Sequence, residues 1–259
     1  MTLLAVSGLN KRFGGVVAAR DVAFSLKAGE LLAIIGPNGA GKSTTFNMVG
    51  GQLRPDSGQV MLAGENVAGL APRAIWRRGV GRTFQIAQTF VSMSVAENVQ
   101  MALISWHGRI FSFRSRAETL YRPEALDLLD LVGMRGEADR PVRELAYGDV
   151  KRVELAVALA SQPKLLLMDE PTAGMAPKER TQLMELTASI ARQRQIGVLF
   201  TEHDMDAVFA HADNILVLVR GEIIAAGKPD EVRANARVKQ VYLGDIGVEA
   251  AMRARRGRA

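Results

Sequence analysis

Apolar positions near the start of the chain alternate with polar ones, and this pattern predicts strands. Leu3 to Leu9 reads as one strand, and Val16 to Leu26 alternates imperfectly as a second. The run Leu31-Leu32-Ala33-Ile34-Ile35 is continuously apolar and follows Gly29-Glu30, which suits a central parallel strand buried on both faces. A glycine-rich loop and a helix, Thr44 to Val49, follow at once. Asp56-Ser57-Gly58 reads as a turn and Gln59 to Leu62 as a further strand.

The period then changes. From Ile86 to Gln162 the spacing is helical. Ser94-Val95-Ala96-Glu97 fits a capping box, in which the serine hydroxyl takes an orphan backbone N–H and the glutamate reaches back. Pro123 opens an amphipathic helix through Leu126, Leu129 and Val132, stopped by Gly133; a third helix begins near Asp149 and ends before Pro163. This stretch is expected to be a separate lobe inserted into the strand-rich core. From Lys164 strands return: Leu165 to Met168, then Ile196 to Phe200 after a helix opened by Pro177 with Leu183, Leu186 and Ile190 on one face. Ile215 to Val219 and Glu222 to Ala226, joined by Arg220-Gly221, predict a hairpin.

With 259 residues and 48% hydrophobic side chains, the chain can bury a full core. It has no cysteine, so disulfides and zinc–thiolate sites are excluded. Met1-Thr2-Leu3-Leu4 lacks the basic-then-apolar order of a signal peptide, and none is expected. The longest apolar runs fall far short of the about 20 residues a membrane-spanning helix needs, which predicts a soluble or peripheral protein. The net charge is +6, and much of the excess sits at Arg253, Arg255, Arg256 and Arg258. A solvated tail end accounts for this, with a lipid-binding patch as the alternative.

The chemistry begins at Gly36-Pro37-Asn38-Gly39-Ala40-Gly41-Lys42-Ser43, which matches G-x-x-x-x-G-K-[ST] between a buried strand and a helix. Glycines let consecutive backbone N–H groups turn toward a dense anion, and the helix N-terminus adds its dipole. A triphosphate is the expected ligand, with Lys42 reaching the β- and γ-phosphates and Ser43 ligating Mg²⁺. Far downstream, Leu165-Leu166-Leu167-Met168-Asp169-Glu170 is an apolar strand ending in two acids. Asp169 would hold Mg²⁺, directly or through water, and Glu170 would polarise the attacking water. An unpaired acid pair there is costly, which argues against a purely structural role.

With these motifs in place the chain resembles the ABC ATPase family over nearly its whole length. Gln85 in Thr83-Phe84-Gln85 stands where the family has its Q-loop glutamine, which senses Mg²⁺ and the water. Leu145-Ala146-Tyr147-Gly148-Asp149 lies at the LSGGQ signature, Asp169 and Glu170 at the Walker B pair, and His203 at the switch histidine that contacts the γ-phosphate. Phe13 matches the aromatic that stacks on adenine. Taken singly, each has another reading: core packing for Phe13, a surface amide for Gln85, a satisfied strand-end histidine for His203. His107 and His211 have no such support and read as surface residues.

The resemblance implies an α/β fold: a P-loop NTPase ABC cassette with a RecA-like mixed sheet core, an N-terminal antiparallel β subdomain and an inserted α-helical subdomain. Residues 1–85 and 163–245 would form the catalytic core with the β subdomain, 86–162 the helical subdomain and 246–259 a basic tail. ATP and Mg²⁺ are the implied cofactors. Residues 36–44, Thr44 included, would wrap the nucleotide in one cassette. The opposing cassette of a dimer would supply Tyr147, Gly148 and Asp149. Mg²⁺ would be held by Ser43, Gln85 and Asp169, and catalysis carried by Glu170, His203, Gln85 and Lys42.

The signature departs from its consensus: Ala146 replaces a serine, Tyr147 a glycine and Asp149 a glutamine. Ala176 stands where most members have aspartate. Tyr147, Ala173-Gly174-Met175, Glu202-His203-Asp204-Met205 and Val241-Tyr242-Leu243-Gly244 look like the importer subclass for branched-chain and other hydrophobic amino acids. That subclass implies two membrane-spanning permease subunits, a second cassette, identical or not, and a periplasmic solute-binding protein. It places the chain peripherally on the cytoplasmic face of the inner membrane. Two rivals stand beside it: a cassette of another transport class, such as lipid export, and a nucleic-acid-associated ABC ATPase. The basic pI of about 9.9 allows the latter. No long coiled coil or zinc module interrupts the chain, so no nucleic acid is expected. The segment from Trp106 to Arg122 reads either as a docking element or as a solvated loop.

Overall fold

The computed structural model describes residues 2–84, 89–109 and 119–241. Gln85 and most of the segment between Trp106 and Arg122 fall outside them, as does the basic tail.

The first strands, β1 (Thr2–Phe13) and β2 (Val16–Lys27), form a long antiparallel hairpin, followed by β3 (Leu31–Ile35) and helix α1 (Lys42–Val49). β1 runs four residues past the predicted Leu9. Its outer end is half-buried to exposed and carries no apolar alternation, so backbone pairing alone extends it. α1 begins two residues before the predicted Thr44. β4 (Ser57–Leu62) and β5 (Glu65–Asn66) complete a four-stranded antiparallel sheet in the order β2-β1-β4-β5. Ser57 and Gly58, expected in a turn, belong to β4. Gly58 has φ +100°, and a Cβ there would lie 2.3 Å from the Gly8 carbonyl oxygen, so the bulge between β1 and β4 needs a glycine.

Next come α2 (Pro72–Trp76), β6 (Val80–Thr83), α3 (Val95–Trp106), α4 (Arg122–Leu131) and α5 (Tyr147–Leu159). The capping box at α3 is present: Glu97 N–H donates to Ser94 Oγ at 3.2 Å, and Ser94 N–H to Glu97 Oε2 at 2.7 Å. Then follow β7 (Leu165–Asp169), α6 (Pro177–Arg194), β8 (Gly197–Thr201), α7 (Met205–His211), the hairpin β9 (Asn214–Val219) and β10 (Glu222–Gly227), and α8 (Pro229–Ala234). The second sheet is ordered β10-β9-β3-β8-β7-β6, parallel except for the β10 edge.

Both faces of this sheet are covered, which explains the unbroken apolar runs of β3 and β7. Leu32, Ile34, Leu165 and Leu167 pack toward the antiparallel sheet and Phe46 and Met48 of α1. Leu31, Ala33, Ile35, Leu166 and Met168 pack toward the helices. Val99 and Leu103 of α3 and Leu129 of α4 join that same second cluster, so the inserted helical stretch packs its apolar side toward the helix-covered face of the sheet. Trp106 ties α3 back to the core. It packs edge-on to Trp76 with ring centroids 5.2 Å apart, while Arg77 donates to the Trp106 carbonyl at 2.7 Å.

Candidate functional site

Parallel pairing puts the carboxyl ends of β3, β8, β7 and β6 on one edge of the sheet, the edge where ligands of such sheets bind. The loop 36–41 leaves β3 there. Its glycines are sterically obligatory at both ends. A Cβ on Gly36 would lie 2.1 Å from the Leu218 carbonyl oxygen, and one on Gly41 would lie 2.2 Å from that of Ala18. The loop is closed by Ala40 N–H donating to the Pro37 carbonyl at 3.1 Å and pinned by Gly221 N–H donating to the Ala40 carbonyl at 2.8 Å. α1 then starts with no side-chain cap and no acid in its first turn, leaving its N-terminal partial positive charge for an anion.

Lys42, first residue of α1, is 7% exposed. Its Nζ donates to the carbonyls of Gly36 at 2.6 Å and Pro37 at 3.2 Å. Burial pushes its pKa down, while Glu170 and Asp169 act in the opposite direction. The two distant motifs thus meet electrostatically at one end of the sheet.

β7 ends at Asp169 and Glu170 follows it, and the expectation that the two acids stand unpaired is wrong. Asp169 Oδ1 accepts from Thr201 Oγ1 at 2.7 Å, and its carboxylate lies 3.7 Å from Arg82. Glu170 has φ +47°, which for a non-glycine residue costs about 1–3 kcal/mol. The conformation is held by its own N–H donating to the Thr201 carbonyl at 3.1 Å. It turns the side chain to His203, whose Nε2 lies 2.8 Å from Glu170 Oε1.

His203 follows β8 and is fixed from both sides. Glu202, 4% exposed, accepts Thr172 N–H at 2.9 Å, Thr172 Oγ1 at 2.7 Å and His203 N–H at 3.2 Å. Asp204 caps α7 by accepting from Asp206 and Ala207 N–H and pairs with Arg180. Burial opposes the charge on Asp204, yet the Ala207 N–H and the Arg180 guanidinium hold its pKa below the ordinary value.

Of these groups Lys42, Glu170 and His203 line a cleft of about 340 Å³, and Asp169 does not. Asn38, Gly39, Ala40, Gly41, Lys42, Ser43 and Thr44 line one side, Glu170 and His203 another, and Phe13 with Val16 the mouth. Phe13 is 51% exposed at the tip of the β1–β2 hairpin, so core packing does not explain it. Gly36 and Pro37 lie beneath, as acceptors for Lys42. Tyr147, Gly148 and Asp149 do not line the cleft. They begin α5, with Tyr147 45% exposed and the Gly148 backbone against Glu179 of α6.

Arg82 and Glu202 were not singled out from the sequence. Arg82 lies on β6, which has no apolar run to announce it. Its guanidinium lies 4.9 Å from the Phe46 ring centroid and 5.1 Å from that of Phe84, donates to Asn47 at 2.9 Å, and leaves Nε and Nη1 buried without partners. His211 is half-buried rather than a surface residue, and burial lowers its pKa.

The donor set suits a nucleotide with Mg²⁺. Among the described residues no group of three or more His, Cys, Asp or Glu could cage a metal. A hydroxyl from Ser43 and a carboxylate from Asp169 are oxygen donors of the kind that would suit Mg²⁺.

Comparison with known proteins agrees. The family model described as ABC transporter matches residues 19–173, and the one described as branched-chain amino acid ATP-binding cassette transporter matches residues 222–246. The high-affinity branched-chain amino acid transport ATP-binding protein LivG of Escherichia coli K12 is 39% identical over 251 residues, covering 94% of this chain and 98% of LivG. BraF of Pseudomonas aeruginosa, with the same description, is 36% identical over 253 residues, covering 94% of this chain and 98% of BraF. The ADP conformation of MJ1267, an ATP-binding cassette of an ABC transporter, superposes with a TM-score of 0.84 at 30% identity, covering 94% of this chain and 99% of that one. The chain belongs to the ABC transporter family, as an ATP-binding cassette of the kind whose hydrolysis of ATP drives transport.

Proposed function

We propose that this cassette powers uptake of branched-chain or related hydrophobic amino acids, working as a dimer with a second cassette on two membrane-spanning permease subunits. The solute reading rests on the likeness to LivG and BraF along nearly the whole chain and on the match at residues 222–246. Among the described residues no helix is long and apolar enough to cross a membrane. Attachment is assigned to contacts with the permeases at the cytoplasmic face of the inner membrane, on the likeness to the transport ATP-binding proteins LivG and BraF. A periplasmic solute-binding protein would select the solute.

The observation that carries the mechanism is the convergence of Lys42, Glu170 and His203 at one cleft. Adenine stacks on Phe13, and the triphosphate lies along the N–H groups of residues 36–44. Lys42 exchanges its carbonyl acceptors for phosphate oxygens. Ser43, Asp169 and Gln85 would hold Mg²⁺, which would supply charge neutralisation at the phosphates. Glu170 orients and polarises the attacking water, and His203 contacts the γ-phosphate. Tyr147, Gly148 and Asp149, which do not line their own cleft, serve the opposing cassette. ATP then binds the closed dimer more tightly than the open one, and hydrolysis removes that difference.

The test is to purify the tagged chain from membranes with its bound subunits and measure ATPase activity on adding candidate solute-loaded receptors. Copurification of a polytopic subunit and stimulation by a leucine- or isoleucine-loaded receptor are expected. Stimulation by a receptor for a polar solute alone would overturn the solute class.

A further inference from the structure

Two charged side chains on the signature helix α5 are buried away from the cleft. Lys151 and Glu154 are 3% and 4% exposed and pair at 3.1 Å. Desolvating such a pair is costly, and apolar residues could fill the same space. What the pair holds is main chain. Glu154 Oε1 accepts the Phe84 N–H at 2.7 Å, and Lys151 Nζ donates to the Phe84 carbonyl at 2.8 Å. Both backbone groups of one residue are therefore captured by one ion pair.

Phe84 directly precedes Gln85 in sequence, and its ring lies against the Arg82 guanidinium that faces Asp169 at 3.7 Å. At the other end, Lys151 Nζ sits 5.8 Å from the ring centroid of Tyr147 in the signature. A continuous set of contacts thus joins the signature end of α5 to the strand end beside Asp169.

We propose that Lys151 and Glu154 are positioning residues that clamp Phe84, so that Phe84, the neighbour of Gln85 in sequence, and the signature residues Tyr147–Asp149 at the start of α5 move as one body. This rests on the function proposed above, in which Gln85 serves the cassette's own nucleotide and the signature residues Tyr147–Asp149 serve the opposing one. The clamp then carries the state of one nucleotide site to the other.

The arrangement has a polarity. The amide needs an acceptor and the carbonyl needs a donor, so reversing the charges keeps the ion pair but mismatches both backbone groups. The full-length chain is compared with Glu154→Gln, Glu154→Leu and the exchange Lys151→Glu with Glu154→Lys, measuring MgATP affinity, kcat, KM for ATP and Tm. Expected are MgATP affinity and KM close to those of the parent in all three variants. Turnover should be largely retained in Glu154→Gln. It should fall about 10- to 100-fold in Glu154→Leu and in the exchanged protein, the size seen when supporting contacts shift reacting groups by about 1 Å. Recovery of Tm without recovery of kcat in the exchanged protein separates positioning from stability. Full turnover in the exchanged protein would overturn the clamp. Absence of MgATP binding in the parent would instead overturn the reading of the site itself.

Discussion

Glu170 Oε1 and His203 Nε2 lie 2.8 Å apart although the two residues are 33 positions apart in sequence. They meet because β7 and β8 are adjacent and parallel, so residues just past their carboxyl ends emerge side by side. The contact aims a carboxylate across the phosphate cleft from Lys42. Glu170→Gln keeps the size and one oxygen acceptor but removes the base. Turnover is predicted to fall by about 10²- to 10⁴-fold, the usual contribution of a general base. Nucleotide affinity should persist, and an ATP-bound dimer should accumulate on gel filtration. Phosphate release at the parental rate would rule out Glu170 as the base.

Glu202 is the second acid to check. Its buried carboxylate accepts three donors, two from Thr172 and one from His203. Glu202→Leu leaves those donors unsatisfied and should cost about 3 kcal/mol of stability. It should also lower kcat, since the His203 loop loses its anchor. Chemical denaturation and steady-state ATPase assays read the two effects.

Gly41→Ala should be far more damaging than an ordinary loop substitution. The new methyl meets the Ala18 carbonyl at 2.2 Å, and φ +101° disfavours any side chain. A loss of about 2 kcal/mol or more, with sharply weakened ATP binding, is expected. Gly39→Ala offers the control in steric terms, since a Cβ there meets nothing within 4 Å, although its φ of +76° still strains the loop. Thermal melts and ATP titration should rank Gly41→Ala as the worse.

His211 predicts a pH dependence of stability. Burial lowers its folded pKa, Glu185 opposes that, and Arg192 adds to it. The unfolded chain, with the ordinary value of about 6.5, takes up a proton before the folded one does. This contribution to stability is complete above that value and is lost as pH falls toward the lowered folded pKa. Melting temperatures between pH 7.5 and 5.5 should fall less steeply in His211→Gln than in the parent.

Much of this site was legible in the chain because its parts are local. The phosphate loop needs glycines at fixed places, and β3, β7 and β8 announce themselves as short apolar runs. β6 did not, because Val80-Gly81-Arg82-Thr83 is a strand only through its pairing with β7, made more than eighty residues downstream by register with Leu165 to Met168. Arg82 went unseen with it. The pairing of Asp169 with Thr201 and Arg82 is likewise long-range, which is why the acids read as unpaired. Lys151 and Glu154 sit at helical spacing that a solvated face would also show; only the fold reveals that they point at Phe84. The chain belongs to its family by motifs legible in order, while the contacts that hold those motifs in place are tertiary.

The most direct test is equilibrium binding of ATP to the purified chain with and without Mg²⁺, alongside Lys42→Ala and Asp169→Asn. Saturable ATP binding is predicted for the parent, strengthened by Mg²⁺. Lys42→Ala should weaken it in both conditions, and Asp169→Asn should remove mainly the response to Mg²⁺. Parental affinity in Lys42→Ala, or no effect of Mg²⁺ on the parent, would contradict a triphosphate held between Lys42-Ser43 and Asp169-Glu170.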